Sequence, residues 1–445
     1  MSSYIRINKK IGNFKNSIEI PGDKSISIRL IMLASIAVGK SRLYNLLDSD
    51  DISSTINSLK SLGVKILKNK KAVEIFGVGL NGLNMRENII INAGNSGTFA
   101  RLLCGLVAKR DGAIKLLGDK SLSKRYFSRV IIPLRKFGMN FKSKNSKLPL
   151  IIQGTKNLRP IKYVEEKGSA QVKSAILIAS LNTPGETKVK CIPSRNHTEM
   201  MFKHCLGIPI TITRGNKYES IKVKGQKQFK CFNYNVPGDV SAASFFIALT
   251  ILSKNSELTI KNVNVNKTRS GIIEILKKMR GKLKLINKRF YNGEIISDIK
   301  VESTYFLKSI NCPKKLNTKS IDEFLIIFLL CAKAKGISTF EDIQELRHKE
   351  SDRLKIASDF LRMIGVKVVE KKDSLKIYGN PKLELSDKFE IKNFLKDHRV
   401  FMMSWVAALT MGGDFKIHDQ DSINSSFPNF LKILKKLGAR IISVN

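Results

Sequence analysis

The chain is short of the residues on which several chemistries depend. It has six cysteines in 445 residues and no C-x-x-C pair, which excludes a disulfide framework or a zinc ribbon. Its five histidines (His197, His204, His348, His398, His418) show no H-E-x-x-H or other ligand spacing, so no metal site is expected. One tryptophan, and no alternation of basic with aromatic residues, leaves no platform on which to stack bases. The longest apolar tract near the middle, Phe324 to Ala332, has nine residues, half of the roughly 18 that would mark a membrane span. Met1 to Ile20 is polar and mixed, without the apolar centre of a signal peptide. These absences predict a cytoplasmic protein of a reducing compartment, with no membrane partner.

Acidic residues are also scarce. There are 37 against 79 basic ones, a net charge of +42. Such a balance favours anions and puts nucleic acid first among partners to consider. The excess is lysine (59, against 20 arginines), spread along the chain without an arginine-rich tail. That pattern fits a lysine-biased composition, with attraction for anionic substrates as the second reading. Apolar residues at 42% and charged ones at 26% give a globular balance. The length calls for two or more domains.

A repeat sets the architecture. A short polar turn, an apolar helix, a strand, an amphipathic helix closed by glycine and a further strand recur six times. The turns begin at Gly22, Gly94, Gly168, Gly238, Ser320 and Lys396, spaced 72, 74, 70, 82 and 76 residues apart. The closing glycines are Gly63, Gly138, Gly207, Gly281, Gly365 and Gly438, each 39 to 45 residues after its turn. They stand where a helix end needs a left-handed residue. The first helices (Ile31 to Val38, Val172 to Leu181, Val400 to Met411) are nearly unbroken apolar runs and predict burial; the second carry one charged face and predict exposure. Buried helices led by small or polar capping residues aim free N–H groups and positive dipole ends at anions. The turns are therefore the expected seat of function.

Two nucleotide-like motifs fail on context. Gly77-Val78-Gly79-Leu80-Asn81-Gly82 follows an expected strand, Ala72 to Phe76, but Leu83 to Asn88 does not continue as an apolar-periodic helix. Gly39-Lys40-Ser41 resembles the end of a phosphate loop, but Ala34 stands where its first glycine belongs.

The turns themselves carry the chemistry. Lys24, Ser25 and Arg29 open the first buried helix, with Ser25 and Arg29 four apart on one face, in reach of one carboxylate. In Asn95-Ser96-Gly97-Thr98, Gly97 serves either the turn or the approach of a ligand to the backbone. Ser169 in Ser169-Ala170-Gln171-Val172-Lys173, and Ser194 in Ser194-Arg195-Asn196-His197-Thr198-Glu199, read equally as helix caps and as phosphate donors. Lys349-Glu350-Ser351-Asp352-Arg353 is the densest cluster of charge. Alone it reads as a solvated helix start; its place in the repeat sets it beside Asp322, Asp397, His398 and Arg399 on equivalent turns.

Three stretches carry a family resemblance: Pro21-Gly22-Asp23-Lys24-Ser25-Ile26-Ser27-Ile28-Arg29, Arg347-His348-Lys349-Glu350-Ser351-Asp352-Arg353 and Asp397-His398-Arg399. In this order, on three repeats, they resemble the signatures of the 3-phosphoshikimate 1-carboxyvinyltransferase (5-enolpyruvylshikimate-3-phosphate synthase) family, from about Ile18 to Phe430. The resemblance implies an α/β fold, a two-domain inside-out α/β barrel with three βαβ-type repeats per domain around buried helices and the active site in the intervening cleft. The domains would be 21–238, and 239–445 together with 1–20. The activity implied is transfer of the enolpyruvyl group of phosphoenolpyruvate to the 5-hydroxyl of shikimate 3-phosphate, releasing phosphate, on the way to chorismate and aromatic amino acids. No cofactor is implied, and a monomer is expected.

The resemblance also implies roles. Asp322, Glu350 and Lys24 would be catalytic: Asp322 takes the 5-hydroxyl proton, while Glu350 and Lys24 serve the enol carbon and the leaving phosphate. Shikimate 3-phosphate would be held by Lys24, Ser25, Arg29, Ser169, Ala170, Gln171, Ser194, Arg195, Asp322 and Lys349, with Ser25 and Arg29 on the carboxylate and Ser169, Ser194, Arg195 and Lys349 on the phosphate. Phosphoenolpyruvate would meet Lys24, Gly97, Arg125, Gln171, Arg353 and Arg399. The chain departs from the pattern at Tyr126, where proline commonly follows the arginine, at Ala170, a second serine in some members, and at Ser425, a lysine in some. Gly22 to Ser25, Ser169 to Lys173, Arg195 to Glu199 and Asn266 to Arg269 resemble a subgroup that includes glyphosate-tolerant members. Gly97, however, stands where some tolerant members carry alanine.

Two alternatives stay open at this point. The sister transferase acting on UDP-N-acetylglucosamine shares the fold but carries its acid on a loop cysteine; Asp111 to Phe127 here has none, and Cys104 falls inside an apolar helix. A basic nucleic-acid-binding protein of the same fold is favoured only by the +42 charge.

Overall fold

A computed structural model describes residues 4–84, 89–110 and 112–444. Residues 85–88 of the stretch expected not to form a helix, Asp111 of the cysteine-free stretch, and the first three and last residues lie outside that set. Contacts divide the chain into two units: Gly22–Val236 with Phe290–Glu294, and Met1–Pro21 with Pro237–Arg289 and Ile295–Asn445. The sequence reading assigns Phe290–Glu294 to the C-terminal domain; in the structure they group with the other unit. Each unit has its own hydrophobic core.

The helices, in chain order, are α1 Lys24–Ser35, α2 Asp50–Ser61, α3 Gly97–Leu106, α4 Ser128–Lys136, α5 Ala170–Ser180, α6 His197–His204, α7 Val240–Leu252, α8 Gly271–Lys278, the short α9 Asn317–Ser320, α10 Phe324–Ala332, α11 Arg353–Met363, α12 His398–Met411 and α13 Phe430–Lys436. Six of them (α1, α3, α5, α7, α10 and α12) are buried nearly throughout. In the first unit α3 packs on α1 and α5; in the second, α7, α10 and α12 pack on one another. Burying an all-apolar helix against two others removes every face from water, which is why these sequences carry no polar stripe. The alternate helices keep charge outward: α8 buries Ile272, Ile275 and Leu276 and ends in Lys277 and Lys278.

Each buried helix has a sheet. Three four-stranded sheets in the first unit share one order, a parallel edge strand followed by an antiparallel trio. In the first of these, Asn233–Asn235 runs parallel to Val38–Tyr44, which pairs antiparallel with Ala72–Val78 (Val38 opposite Val78), which pairs with Lys65–Lys68. The second unit has two four-stranded sheets and one of three, Gly336–Phe340, Leu375–Gly379 and Val368–Glu370. There the parallel edge is reduced to the bridges Lys308–Lys335 and Asn311–Thr339. The repeat is thus one plan executed six times.

Local details correct the sequence reading in places. The first buried helix begins at Lys24, because the Asp23 side chain accepts the Ile26 N–H at 2.9 Å and caps it; Val38 already belongs to the following strand. Five closing glycines have positive φ, but in the fourth repeat Arg280, at φ 62°, takes the left-handed turn in place of Gly281. Gly105 answers another need: a β-carbon there would lie 2.1 Å from the carbonyl oxygen of Ala175, so α3 and α5 meet backbone to backbone. Among the described residues no helix is long and apolar enough to cross a membrane.

Candidate active site

In the first unit the expected residues gather at the starts of α1, α3 and α5. Lys24 pairs with Asp51 at 3.1 Å. Arg29, 3% exposed, donates from Nε to Thr198 Oγ1 at 2.9 Å, from Nη2 to Ser174 Oγ at 3.0 Å and from Nη1 to the Ser25 carbonyl at 2.9 Å. Ser25 and Arg29 therefore stand together, as their i,i+4 spacing predicts. The Ser174 and Thr198 hydroxyls, 2.8 Å apart, tie this arginine to α5 and α6. Sequence reasoning missed both, since a buried serine or threonine gives no signal of its own.

At α3, Ser96 caps the helix by accepting the Phe99 N–H at 3.3 Å. Arg101 Nη1 donates to the Gly97 carbonyl at 3.2 Å and to Gln171 Oε1 at 3.1 Å, and Gln171 Nε2 donates to Thr98 Oγ1 at 3.0 Å. Arg125 Nη2 lies 3.4 Å from Asn95 Oδ1. A β-carbon on Gly97 would come within 2.8 Å of Arg101 Nη1 and 2.9 Å of Arg125 Nη1. Gly97, Arg101, Arg125 and Gln171 form one group. Arg101, four residues on from Gly97 in the sequence, belongs to it by contact.

At α5, Ser169 Oγ accepts the Val172 N–H at 3.4 Å, its own N–H donates to Glu165 at 2.9 Å, and Ala170 begins the helix. Ser194 is buried, and its hydroxyl has no hydrogen-bond partner among the described residues. An orphaned buried hydroxyl carries a desolvation cost that a ligand oxygen relieves. Arg195, half-buried, follows it.

In the second unit, Arg353 is the centre. Its side chain is 1% exposed and meets Asp397 at 2.9 Å, Glu350 at 2.6 Å and Asp322 at 3.5 Å. Lys349 Nζ reaches Asp322 at 3.4 Å, and Arg399 Nη1 donates to the Asp322 carbonyl at 2.7 Å. Asp397 also caps α12 by accepting the Arg399 N–H at 3.0 Å, and Ser351 Oγ donates to it at 2.9 Å. Burial opposes the charge on both partners, yet the guanidinium holds the Asp397 carboxyl below its ordinary range. Asp397 and Glu350 in turn keep Arg353 protonated more firmly than usual. The structure brings Asp322, Lys349, Glu350, Arg353 and Arg399 together. Ser425, in the place of a family lysine, has its Oγ 3.5 Å from His398 Nδ1.

One group is chiefly cationic; the other sets carboxylates against an arginine and a lysine, groups able to hold anions and move protons. The fold is that of an enolpyruvyl transferase: NikO from Streptomyces tendae superposes with a TM-score of 0.77 over 100% of this chain and 99% of its own, at 14% identity. EPSP synthase from Acinetobacter baumannii gives a TM-score of 0.86 at 33% identity, with both chains covered completely. The family model for EPSP synthase (3-phosphoshikimate 1-carboxyvinyltransferase) matches residues 8–434. Among curated relatives, the 3-phosphoshikimate 1-carboxyvinyltransferase of Ruthia magnifica is 40% identical over 438 residues, 98% of each chain. That of Zymomonas mobilis is 38% identical, covering 97% of this chain and 96% of its own. The chain belongs to the EPSP synthase family.

Proposed function

We propose that this chain transfers the enolpyruvyl group of phosphoenolpyruvate to the 5-hydroxyl of shikimate 3-phosphate, forming a C–O bond and releasing inorganic phosphate. Its product leads to chorismate and the aromatic amino acids. The observation that carries the reading is the group around Arg353, where two carboxylates, Asp322 and Glu350, sit against one guanidinium at 3.5 and 2.6 Å with Lys349 beside them. Full-length likeness to relatives of that name supports it.

The roles proposed are those that the family resemblance implies. Asp322 accepts the proton of the attacking hydroxyl, and Glu350 with Lys24 delivers a proton to the methylene carbon and steadies the departing phosphate. A tetrahedral ketal results; loss of phosphate and of one proton from its new methyl group then forms the enol ether product. Arg125, Arg353 and Arg399, with Lys24, Gly97 and Gln171, hold phosphoenolpyruvate, whose carboxylate and phosphate suit guanidinium forks. Ser25 and Arg29 hold the shikimate carboxylate. Ser169, Ser194, Arg195 and Lys349 take its 3-phosphate, with Ala170 and Gln171 against the ring. A cytoplasmic monomer working on these two small molecules completes the reading.

Phosphate release from phosphoenolpyruvate, measured with shikimate 3-phosphate, with the UDP-sugar, or with neither, tests it. Release only with shikimate 3-phosphate is expected; release with the UDP-sugar alone would transfer the chain to the sister reaction.

A further inference from the structure

Behind Ser194 lies a set of buried charges to which the reaction gives no task. Lys173 stands in α5, a helix otherwise apolar from Val172 to its end but for small hydroxyls, and is 0% exposed. Its Nζ lies 2.7 Å from Glu199 Oε1 and 3.1 Å from Glu219 Oε1, and donates to the Ser194 carbonyl at 3.4 Å. Glu199 is 1% exposed and Glu219 8%. Three ions out of water carry a heavy desolvation penalty, and apolar side chains of similar volume would fill the space without it. Stability alone does not account for them.

Geometry does. An ammonium group has three donors, and here three oxygens from three segments surround it: α6, the strand Glu219–Lys224 and the turn before α6. The first turn of α6 is fixed from other sides as well. His197 Nδ1 lies 2.6 Å from Glu294 Oε1, and Thr198 Oγ1 takes the bond from Arg29. Three successive buried residues, His197, Thr198 and Glu199, are thus each held by a different element. The backbone of Ser194 is held by Lys173, while its hydroxyl has no hydrogen-bond partner among the described residues.

We infer that Lys173, with Glu199 and Glu219, is a positioning group that sets the Ser194–Arg195 turn for the 3-phosphate of the substrate. The inference rests on the proposed assignment of that turn to the phosphate. Among the residues proposed to hold substrate, the hydrogen bonds of this group reach only Ser194, so its loss acts first on the phosphate contact. The contrast between shikimate 3-phosphate and unphosphorylated shikimate isolates this effect, which general damage to the fold would not.

The test uses the full chain and calorimetric binding of both compounds. The triple variant Lys173→Met, Glu199→Gln, Glu219→Gln removes all three charges, so no ion is left buried alone. It is expected to bind shikimate 3-phosphate roughly tenfold to a hundredfold more weakly, with shikimate changed by less than about twofold and kcat largely kept. Should the triple variant not fold, Glu199→Gln alone leaves Lys173 and Glu219 paired one to one and is expected to show the same selective loss, smaller in size. Equal losses for the two compounds, or none, overturn the inference. Ser194→Ala with Arg195→Met runs in parallel: if that pair leaves shikimate 3-phosphate binding intact, the turn is not the phosphate site and the assignment itself falls. If the pair weakens binding while the Lys173 and Glu199 variants do not, only the positioning role is lost.

Discussion

The two units run one repeat plan with different partners for their arginines. In the first, Arg29 and Arg101 donate to hydroxyls, carbonyls and a side-chain amide, and the caps of α3 and α5 are serines. In the second, α7 and α12 are capped by Asp239 and Asp397, and each aspartate is matched by a buried arginine, Arg269 at 2.8 Å and Arg353 at 2.9 Å. Hydrogen bonds to hydroxyls and carbonyls orient a guanidinium, whereas the three carboxylates around Arg353 offset its field, and it tunes their protonation in turn.

The largest test of that contrast is to neutralise the acids. Asp322→Asn and Glu350→Gln are each expected to lower kcat by about 100- to 10,000-fold while shikimate 3-phosphate still binds. Near-normal kcat in either variant would remove that residue from the chemistry.

Next comes a matched pair of arginine deletions. Arg353→Met leaves Asp397, Glu350 and Asp322 facing one another in a buried site, and a loss of about 3–5 kcal/mol in stability is expected. Arg125→Met, at a half-buried position, is expected to cost no more than about 1 kcal/mol and to raise the KM for phosphoenolpyruvate instead. Urea melts and steady-state kinetics on both variants check this; equal destabilisation would erase the distinction between the units.

Gly97 sharpens the comparison on the first unit. A methyl there presses on the guanidinium ends of Arg101 and Arg125, so Gly97→Ala disturbs any anion they hold. Glyphosate, the phosphoenolpyruvate-competitive inhibitor of the family, is the longer molecule. It is expected to lose roughly tenfold to a hundredfold in affinity, with phosphoenolpyruvate losing much less. An unchanged ratio of Ki to KM would take Gly97 out of the inhibitor site.

The smallest expected effect is acid sensitivity. Asp239 and Asp397 are both held below their ordinary value of 3.8, with burial opposing and Arg269 or Arg353 overcoming it. A carboxyl whose folded-state pKa is depressed contributes stability above the unfolded value and loses it as pH falls toward the folded one. Stability is therefore expected to drop below about pH 4. Asp239→Asn, less stable at neutral pH, should show a flatter acid limb in melts between pH 5 and pH 2.5; an unchanged slope would exclude Asp239 as a source.

Much of this was legible in the chain because its signals are local. Capping aspartates and serines, unbroken apolar helices and glycines after amphipathic ones mark each repeat within about eighty residues, and the i,i+4 pair Ser25 and Arg29 follows from helix geometry. What escaped depends on distant partners. Glu294 sits at a hairpin tip, and its contact with His197 is 97 residues away, so no window contains both. Arg280 adopts the left-handed turn one residue before Gly281, a choice made by packing rather than by glycine content. Lys173 did offer a clue, a lone cation in a helix otherwise without charge, but its meaning needed Glu199 and Glu219 beside it.

The strand Tyr4–Ile7 lies between Gly412–Ile417 and Ile442–Val444, antiparallel to both. During synthesis its first partner emerges some four hundred residues later. At about 5–20 residues per second that is a wait of roughly 20–80 s. The whole of the other unit, Gly22–Val236 with Phe290–Glu294, has been made by then. The ribosome thus delivers one half of the molecule ready to fold well before the strand Tyr4–Ile7 of the other half meets its first partner. A holding chaperone has its clearest target in that segment.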